Sequence, residues 1–460
     1  LPSISARYCR GCDQEGATRV PPSSRLCTLC IGNAATLHWT AYFAVSRIGR
    51  TLSLVRKVHS ATPRVPRGSN PRNSPMQISS PVAALSEDMK VWRRQIHSRP
   101  EIAFQETGTA AFVTELLRSF GIETHTGIGR TGVVGVIDGN GGPGPTIALR
   151  ADMDALPIQE EGRPVYRSVH HGLFHGCGHD GHTAILLGTA KLLAGHRQFK
   201  GRVVLVFQPA EEIVKGSQAM LDDQLLERFP FDEIYGLHNH PALQPGQIGV
   251  RIGSQLAAVD FFSIGIHGTG SHGGTPHRSV DPIAIGALLV TALQTIVSRS
   301  IDPLDSAVLS ICQFIAGATA NVIPDRASLQ GTTRALSPSA RERVHRRLRE
   351  ICEGVALSHG CTIDLDISHG TPPTINAEAP ARCVIAAADT VVGAANVLTD
   401  VAPLMAGDDV ARFLEARPGC YFFLGQGGPM CHHPEYDFND DVAPIGVAIF
   451  DEVVRRRIGV

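Results

Sequence analysis

Between Arg150 and Thr183 the chain places two aspartates, a cysteine and several histidines in an order that could hold metal. The stretch runs Arg150-Ala-Asp152-Met-Asp154-Ala-Leu-Pro157, then a polar connection, then His175-Gly-Cys177-Gly-His179-Asp180-Gly-His182-Thr183. A Cys-x-His pair can put sulfur and nitrogen on one divalent ion, and an added carboxylate suits a second. One Cys-Gly-His alone would read as a satisfied polar loop; this density of donors does not. Three further clusters add to it. Gln208-Pro-Ala-Glu211-Glu212 offers adjacent carboxylates, of which one can ligate while the other stays free to take a proton. Gly236-Leu-His238-Asn-His240 supplies imidazoles, and Cys431-His432-His433-Pro-Glu-Tyr-Asp-Phe-Asn-Asp440 supplies more. Taken singly, the Glu pair reads as solvated surface and a lone His as structural; their company turns the reading towards ligation.

The elements that must position these groups alternate. Leu85–His97 has helical spacing with Ser86 as its expected N-cap, and Thr107–Phe120 is a second helix stopped by Gly121. Strand-length apolar runs follow at Gly132–Ile137, Thr146–Arg150, Arg202–Phe207 and Glu233–Leu237, with a helix at His182–Leu193. Donor clusters therefore fall at strand ends and a helix start, where open α/β sheets build sites. The expected fold class is α/β, a layered, mostly parallel-sheet domain. From Ala257 the rhythm changes to strand Phe261–His267, helix Pro282–Ser298, strands Ala307–Ile315 and Ala327–Arg334, helix Ser339–Leu357 and strand Thr362–Ile367. That β-α-β-β-α-β order is ferredoxin-like. It reads as a domain inserted at 257–369 into a host spanning 76–256 and 370–460. The host resumes with helices Ala379–Val392 and Asp408–Glu415, strand Cys420–Leu424 and helix Val442–Ile458.

Composition bounds the possibilities. With 460 residues, 43% hydrophobic and 18% charged, the chain can build two or three cores. A net charge of −1 gives no global reason to expect nucleic acid or a membrane as partner, and no apolar run nears spanning length. The eleven cysteines lack a disulfide-like framework, which suits a reducing compartment and a cytoplasmic location. Residues 1–75 differ from the rest: eleven Lys or Arg stand against only Asp13 and Glu15, and no period persists. The leading expectation is a disordered or non-native tail, with the natural start at Met76. Two readings compete. Cys9-x-x-Cys12 and Cys27-x-x-Cys30 have zinc-ribbon spacing, and an Arg- and Ser-rich, acid-poor leader resembles a transit peptide.

The motifs Arg-Ala-Asp-Met-Asp-Ala-Leu-Pro, His-x-Cys-Gly-His-Asp-Gly-His-Thr, Gln-Pro-Ala-Glu-Glu, Gly-Leu-His-Asn and His-x-Pro-x-Tyr-Asp-Phe-Asn-Asp occur in that order. From Leu85 to Arg455 the chain resembles the hippurate hydrolase and N-acyl-amino-acid amidohydrolase branch of the aminoacylase/carboxypeptidase di-metal metallopeptidase family. The resemblance implies two divalent metal ions per subunit, zinc or manganese, and an inserted domain acting as lid and dimer interface. It carries the ligand role to Cys177, His179, Glu212, His238 and His432, the general-base role to Glu211, and that of a ligand-orienting aspartate to Asp154. His432 is preferred over His433 on the His-x-Pro register. Gly407-Asp408-Asp409 stands where many relatives have a Glu-Asp pair, which leaves that carboxylate's role open. In the inserted domain His272 matches a lid histidine supplied by the neighbouring protomer to the oxyanion. Asn321 and Arg334 are expected substrate contacts, with an edge-strand surface charge as the plain alternative for Arg334.

The expected reaction is hydrolysis of an N-acyl amino acid, of the hippurate or N-acetyl type. Water activated by the cation pair attacks the amide carbonyl, and Glu211 takes its proton and passes it to the leaving amine. No nucleophile-elbow serine is present, which argues against covalent catalysis. A dipeptidase or carboxypeptidase using the same site is the alternative enzyme. A nucleic-acid-binding protein built on the basic tail is the alternative class, and the full set of expected ligands counts against it. The expected partners are a small-molecule substrate and a second copy of the chain, as a homodimer or higher homo-oligomer.

Overall fold

In the computed structural model, residues 78–459 are described. The expectations for the 1–75 tail and for a start at Met76 lie outside the described residues. The larger sheet has eight strands, in the order Glu123–Ile128, Gly132–Asp138, Arg202–Gln208, Thr146–Asp152, Glu233–His240, Gly419–Gly425, Ile248–Gly249 and Val397–Leu398. Its four middle strands, from Arg202–Gln208 to Gly419–Gly425, are mutually parallel, and the pairings that flank them on either side are antiparallel. The middle strands are buried on both faces, which is why Arg-Val-Val-Leu-Val-Phe-Gln and Gly-Cys-Tyr-Phe-Phe-Leu-Gly read as runs rather than alternations. One face is covered by the helices Ser86–Ser98, Thr107–Ser119, His179–Gly195, Glu378–Val392 and Ala443–Ile458. The other packs on Met220, Leu225, Phe229, Val410 and Phe413. Helix His179–Gly195 is apolar nearly all round and correspondingly enclosed.

The second sheet is antiparallel, in the order Ala307–Ala316, Arg326–Ala335, Ala258–His267 and Thr362–Thr371, with helices Pro282–Ser300 and Pro338–His359 packed on one face. It has the β-α-β-β-α-β order expected from sequence, and a core of its own around Phe262, Ile264, Leu289, Leu329 and Leu348. Both helices start as their sequences dictate. Asp281 accepts from Ile283 N and Ala284 N ahead of Pro282, and Ser337 accepts from Ala340 N ahead of Pro338.

Four local expectations are corrected. Ser86 is not an N-cap: Leu85 holds that position, and the Ser86 hydroxyl donates back to Ala83 O. The central helix begins at His179, three residues earlier than its apolar period shows, because polar ligand-type residues occupy its first turn. The helix expected from Asp408 begins at Val410, leaving Asp408 and Asp409 ahead of it. Finally, helix Pro282–Ser300 has 19 residues and is apolar enough by length and composition to cross a membrane. Its Ile285, Leu289, Leu293 and Ile296, at helical spacing, instead enter the core of the smaller sheet.

Candidate metal centre

The four donor clusters meet at the carboxyl ends of the parallel strands. Strand Thr146–Asp152 delivers Asp152 and, just beyond, Asp154; Arg202–Gln208 delivers Glu211 and Glu212; Glu233–His240 delivers His238; and the loop after Gly419–Gly425 delivers Cys431 and His432. Cys177 and His179 enter from the start of the central helix. The turn between them depends on Gly178, which has φ +97°; a Cβ there would sit 2.2 Å from Asn239 Oδ1 and 2.4 Å from the Tyr436 hydroxyl. Donor atoms of Cys177, His179 and His238 lie within 4.8 Å of one another, as do those of Cys177, Glu212 and His432, and those of His179, Glu211 and Glu212. The five residues expected as ligands therefore form one connected group, with Glu211 against it.

Second partners settle which nitrogen faces the group. His238 Nδ1 lies 2.7 Å from the Asn239 carbonyl and His179 Nδ1 lies 2.9 Å from the Asp154 carbonyl, so each Nδ1 must donate. Each Nε2 is left facing the group, the nitrogen a metal would take in place of a proton. His238 Nε2 is 3.4 Å from Cys177 Sγ. Asp154, almost wholly buried, accepts from Glu211 N at 3.1 Å and Glu212 N at 3.0 Å, and its Oδ1 is 3.3 Å from His179 Nδ1. One carboxylate thus sets the orientation of an imidazole and of the whole Glu-Glu turn. His432 reaches Glu212 Oε2 at 3.5 Å and holds φ +69°, a conformation uncommon for a non-glycine residue.

The donor set fits divalent cations. Two of its buried atoms, His179 Nε2 and Glu212 Oε1, face each other 3.9 Å apart, and neither has a hydrogen-bond partner. Buried polar atoms are rarely left so, and a cation between them satisfies both. The electrostatics agree. Burial would pull the His179 imidazole down, yet Asp152, Asp154 and Glu212 hold it well above its ordinary range, the mark of a site short of positive charge. Burial, with Asp408 and Glu212 nearby, holds the Glu211 carboxyl well above the carboxylate range.

A further shell escaped the sequence reading. Arg150, wholly buried, donates through Nη1 to Asp152 at 2.6 Å, through Nε to Gln208 at 2.8 Å and through Nη2 to Asp408 at 3.2 Å. Asp409 accepts from Gln208 Nε2 and from Ser217 N, and burial beside Asp408 raises its carboxyl to about 7 despite Arg150. His182 is not free to ligate: Asp152 and Asn239 each lie 2.6 Å from one of its ring nitrogens. Behind the central helix, His97 meets Asp180 at 2.8 Å and Glu160 at 3.3 Å, with Arg93 3.5 Å from Asp180. Only the acidic residues that open the helix and the clustered charge in Ser86–Ser98 hinted at this.

The expected lid residues are not brought to the group. Among the described residues, none of His272, Asn321 and Arg334 hydrogen-bonds or ion-pairs with it. His272 is exposed in a short strand paired with Val322–Ile323, and its Nδ1 accepts from Gly274 N. Asn321 is exposed, its carbonyl accepting from Gly273 N. Arg334 is half-buried on an internal strand, which removes the edge-strand alternative; burial lowers its guanidinium pKa, with Asp260 acting the other way.

Residues 148–456 match peptidase family M20/M25/M40. The hippurate hydrolase of Campylobacter jejuni is 39% identical over 366 residues, covering 79% of this chain and 95% of that protein. An N-acyl-L-amino acid amidohydrolase of Geobacillus stearothermophilus is 42% identical over 302 residues, covering 65% and 81%. Among solved structures, a dinuclear metal-binding peptidase of family M20 from Bacillus subtilis superposes with TM-score 0.72 at 33% identity, covering 81% of this chain and 98% of that one.

Proposed function

This chain belongs to peptidase family M20/M25/M40 and is a metal-dependent hydrolase, and from that premise we propose that it cleaves the amide bond of N-acyl amino acids, releasing the amino acid and a carboxylic acid. One observation carries the reading: His179 Nε2 and Glu212 Oε1 face each other, buried and unpartnered, with the carboxyl group of Glu211 beside them. Cys177, His179, Glu212, His238 and His432 would hold a pair of divalent metal ions. Bound there, the ions would polarise the amide carbonyl and acidify the attacking water.

The chain's own residues do the rest. Glu211 takes the water's proton and carries it to the leaving nitrogen. Asp154 holds Glu211, Glu212 and His179 in register, and the Arg150 network holds Asp152 and Gln208 at the strand ends. The inserted segment, residues 257–369, acts as lid and dimerisation domain. Its His272, exposed and without a hydrogen bond to the donor group, is assigned to the neighbouring protomer's oxyanion. Asn321 and Arg334 contact the substrate's carbonyl or carboxylate, the latter bidentately. The test is turnover of a panel of N-benzoyl, N-acetyl and dipeptide substrates, before and after chelation. Chelator-sensitive release of free amino acid from the N-acyl compounds is expected. Preference for unblocked dipeptides would favour the peptidase reading instead.

A further inference from the structure

Cys431 has no part in the ligand set above, yet it lies against it. Its sulfur is 3.7 Å from the Cys177 carbonyl oxygen and receives the Asn239 side-chain amide at 3.5 Å. The His432 N–H donates to Gly176 O at 2.7 Å, laying the two cysteine-bearing segments side by side. The contact of the Cys431 sulfur with the Cys177 main chain places the two residues side by side, the arrangement a disulfide needs. Both are free, and they differ in access: Cys177 is buried and Cys431 partly open.

We propose that Cys177 and Cys431 form a reversible disulfide when the metal-free protein meets a peroxide, and that this closes the site to metal. The more accessible Cys431 attacks the peroxide oxygen. The O–O bond breaks, sulfenic acid forms on Cys431, and the hydroxide or alkoxide that leaves takes up the proton Cys431 released, giving water or an alcohol. Cys177 then attacks that sulfur as thiolate and expels hydroxide, which takes up the proton Cys177 released. Two thiols are oxidised by two electrons in total, and one peroxide is reduced. A sulfur held in a disulfide is no longer a thiolate donor, so metal and disulfide exclude each other at Cys177. The exclusion rests on the reading of Cys177 as a ligand; formation of the disulfide does not.

The experiment treats chelator-stripped full-length protein with hydrogen peroxide, then maps peptides and measures zinc uptake. A linked peptide joining Cys177 to Cys431 is expected, with zinc uptake reduced and then restored by dithiothreitol. In Cys431→Ser the linked peptide is absent and Cys177 oxidises further, so dithiothreitol no longer restores uptake. Recovery of both cysteines in separate peptides from the wild type overturns the proposal. A linked peptide with undiminished zinc uptake overturns the exclusion, and with it the ligand role of Cys177. Loss of zinc from unoxidised Cys177→Ala would show independently that the ligand role stands.

Discussion

The carboxyl edge of the eight-stranded sheet and the four-stranded sheet contain the same kinds of residue but treat them oppositely. At the first, Arg150, Asp152, Asp154, His179 and His182 are almost fully buried, and nearly every polar atom has a partner from a distant segment. At the second, Arg334 is half-buried without a side-chain hydrogen bond to the described residues, and His272 and Asn321, on the separate two-stranded ribbon of the same segment, are exposed. The one comparably enclosed charge there is Asp260, held by Arg341 through two nitrogens and by Gly370 N at the junction with the larger sheet. Groups at the first are over-determined by neighbours, whereas those at the second are left open.

The sharpest way to break this comparison is Glu211→Gln. It keeps size and an acceptor oxygen, so metal content after dialysis should survive while turnover falls about 10²–10⁴-fold. Glu212→Gln and Cys177→Ser should lose metal instead, because each removes a charged donor. If Glu211→Gln loses metal and Glu212→Gln keeps it, the roles within the pair are reversed.

Next in size is Arg150→Leu. It strands Asp152, Asp408 and Asp409 without their buried counter-ion and should cost about 3–5 kcal/mol in denaturant unfolding. A loss under about 1 kcal/mol would mean the buried network is dispensable.

His97 then separates structural from catalytic charge. Burial alone would lower its pKa, but Asp180 and Glu160 raise it to about 9. Its folded value lies above the unfolded one, so its stabilisation is complete below about pH 6.5 and is lost as pH rises through about 9, roughly 3 kcal/mol in all. Unfolding curves from pH 6 to 10 should show that decline in the wild type and a flatter profile in His97→Asn.

In the smaller domain, mixing His272→Ala with Glu211→Ala should restore activity once subunits exchange, because one mixed site per dimer is intact. Failure of demonstrated mixed dimers to turn over would remove His272 from the partner's site. The smallest effect is expected for Arg334→Lys, which keeps charge but not the bidentate fork and should raise KM with kcat nearly unchanged. A fall in kcat at constant KM would instead place Arg334 at the reacting atoms.

Much of this molecule was legible in its residues. The alternation of strand and helix, the β-α-β-β-α-β order and the placing of the donor clusters at strand ends follow from local pattern, because periodicity and turn chemistry are properties of neighbours in sequence; the ligand roles rest on the family resemblance. Even there, the polar first turn of the central helix hid its start at His179, and the short flanking strand Glu123–Ile128 carried too little apolar signal to be read. What the tertiary structure alone decided is who meets whom. Arg150 pairs with Asp408 across 258 positions and Cys177 lies beside Cys431 across 254. The Asp154 carboxylate receives the Glu211 and Glu212 amides, and His432 takes up a left-handed backbone to reach Glu212. These pairings depend on strand order and on which loop crosses which strand end. No local period encodes either, because they are set by burying both faces of the sheet at once.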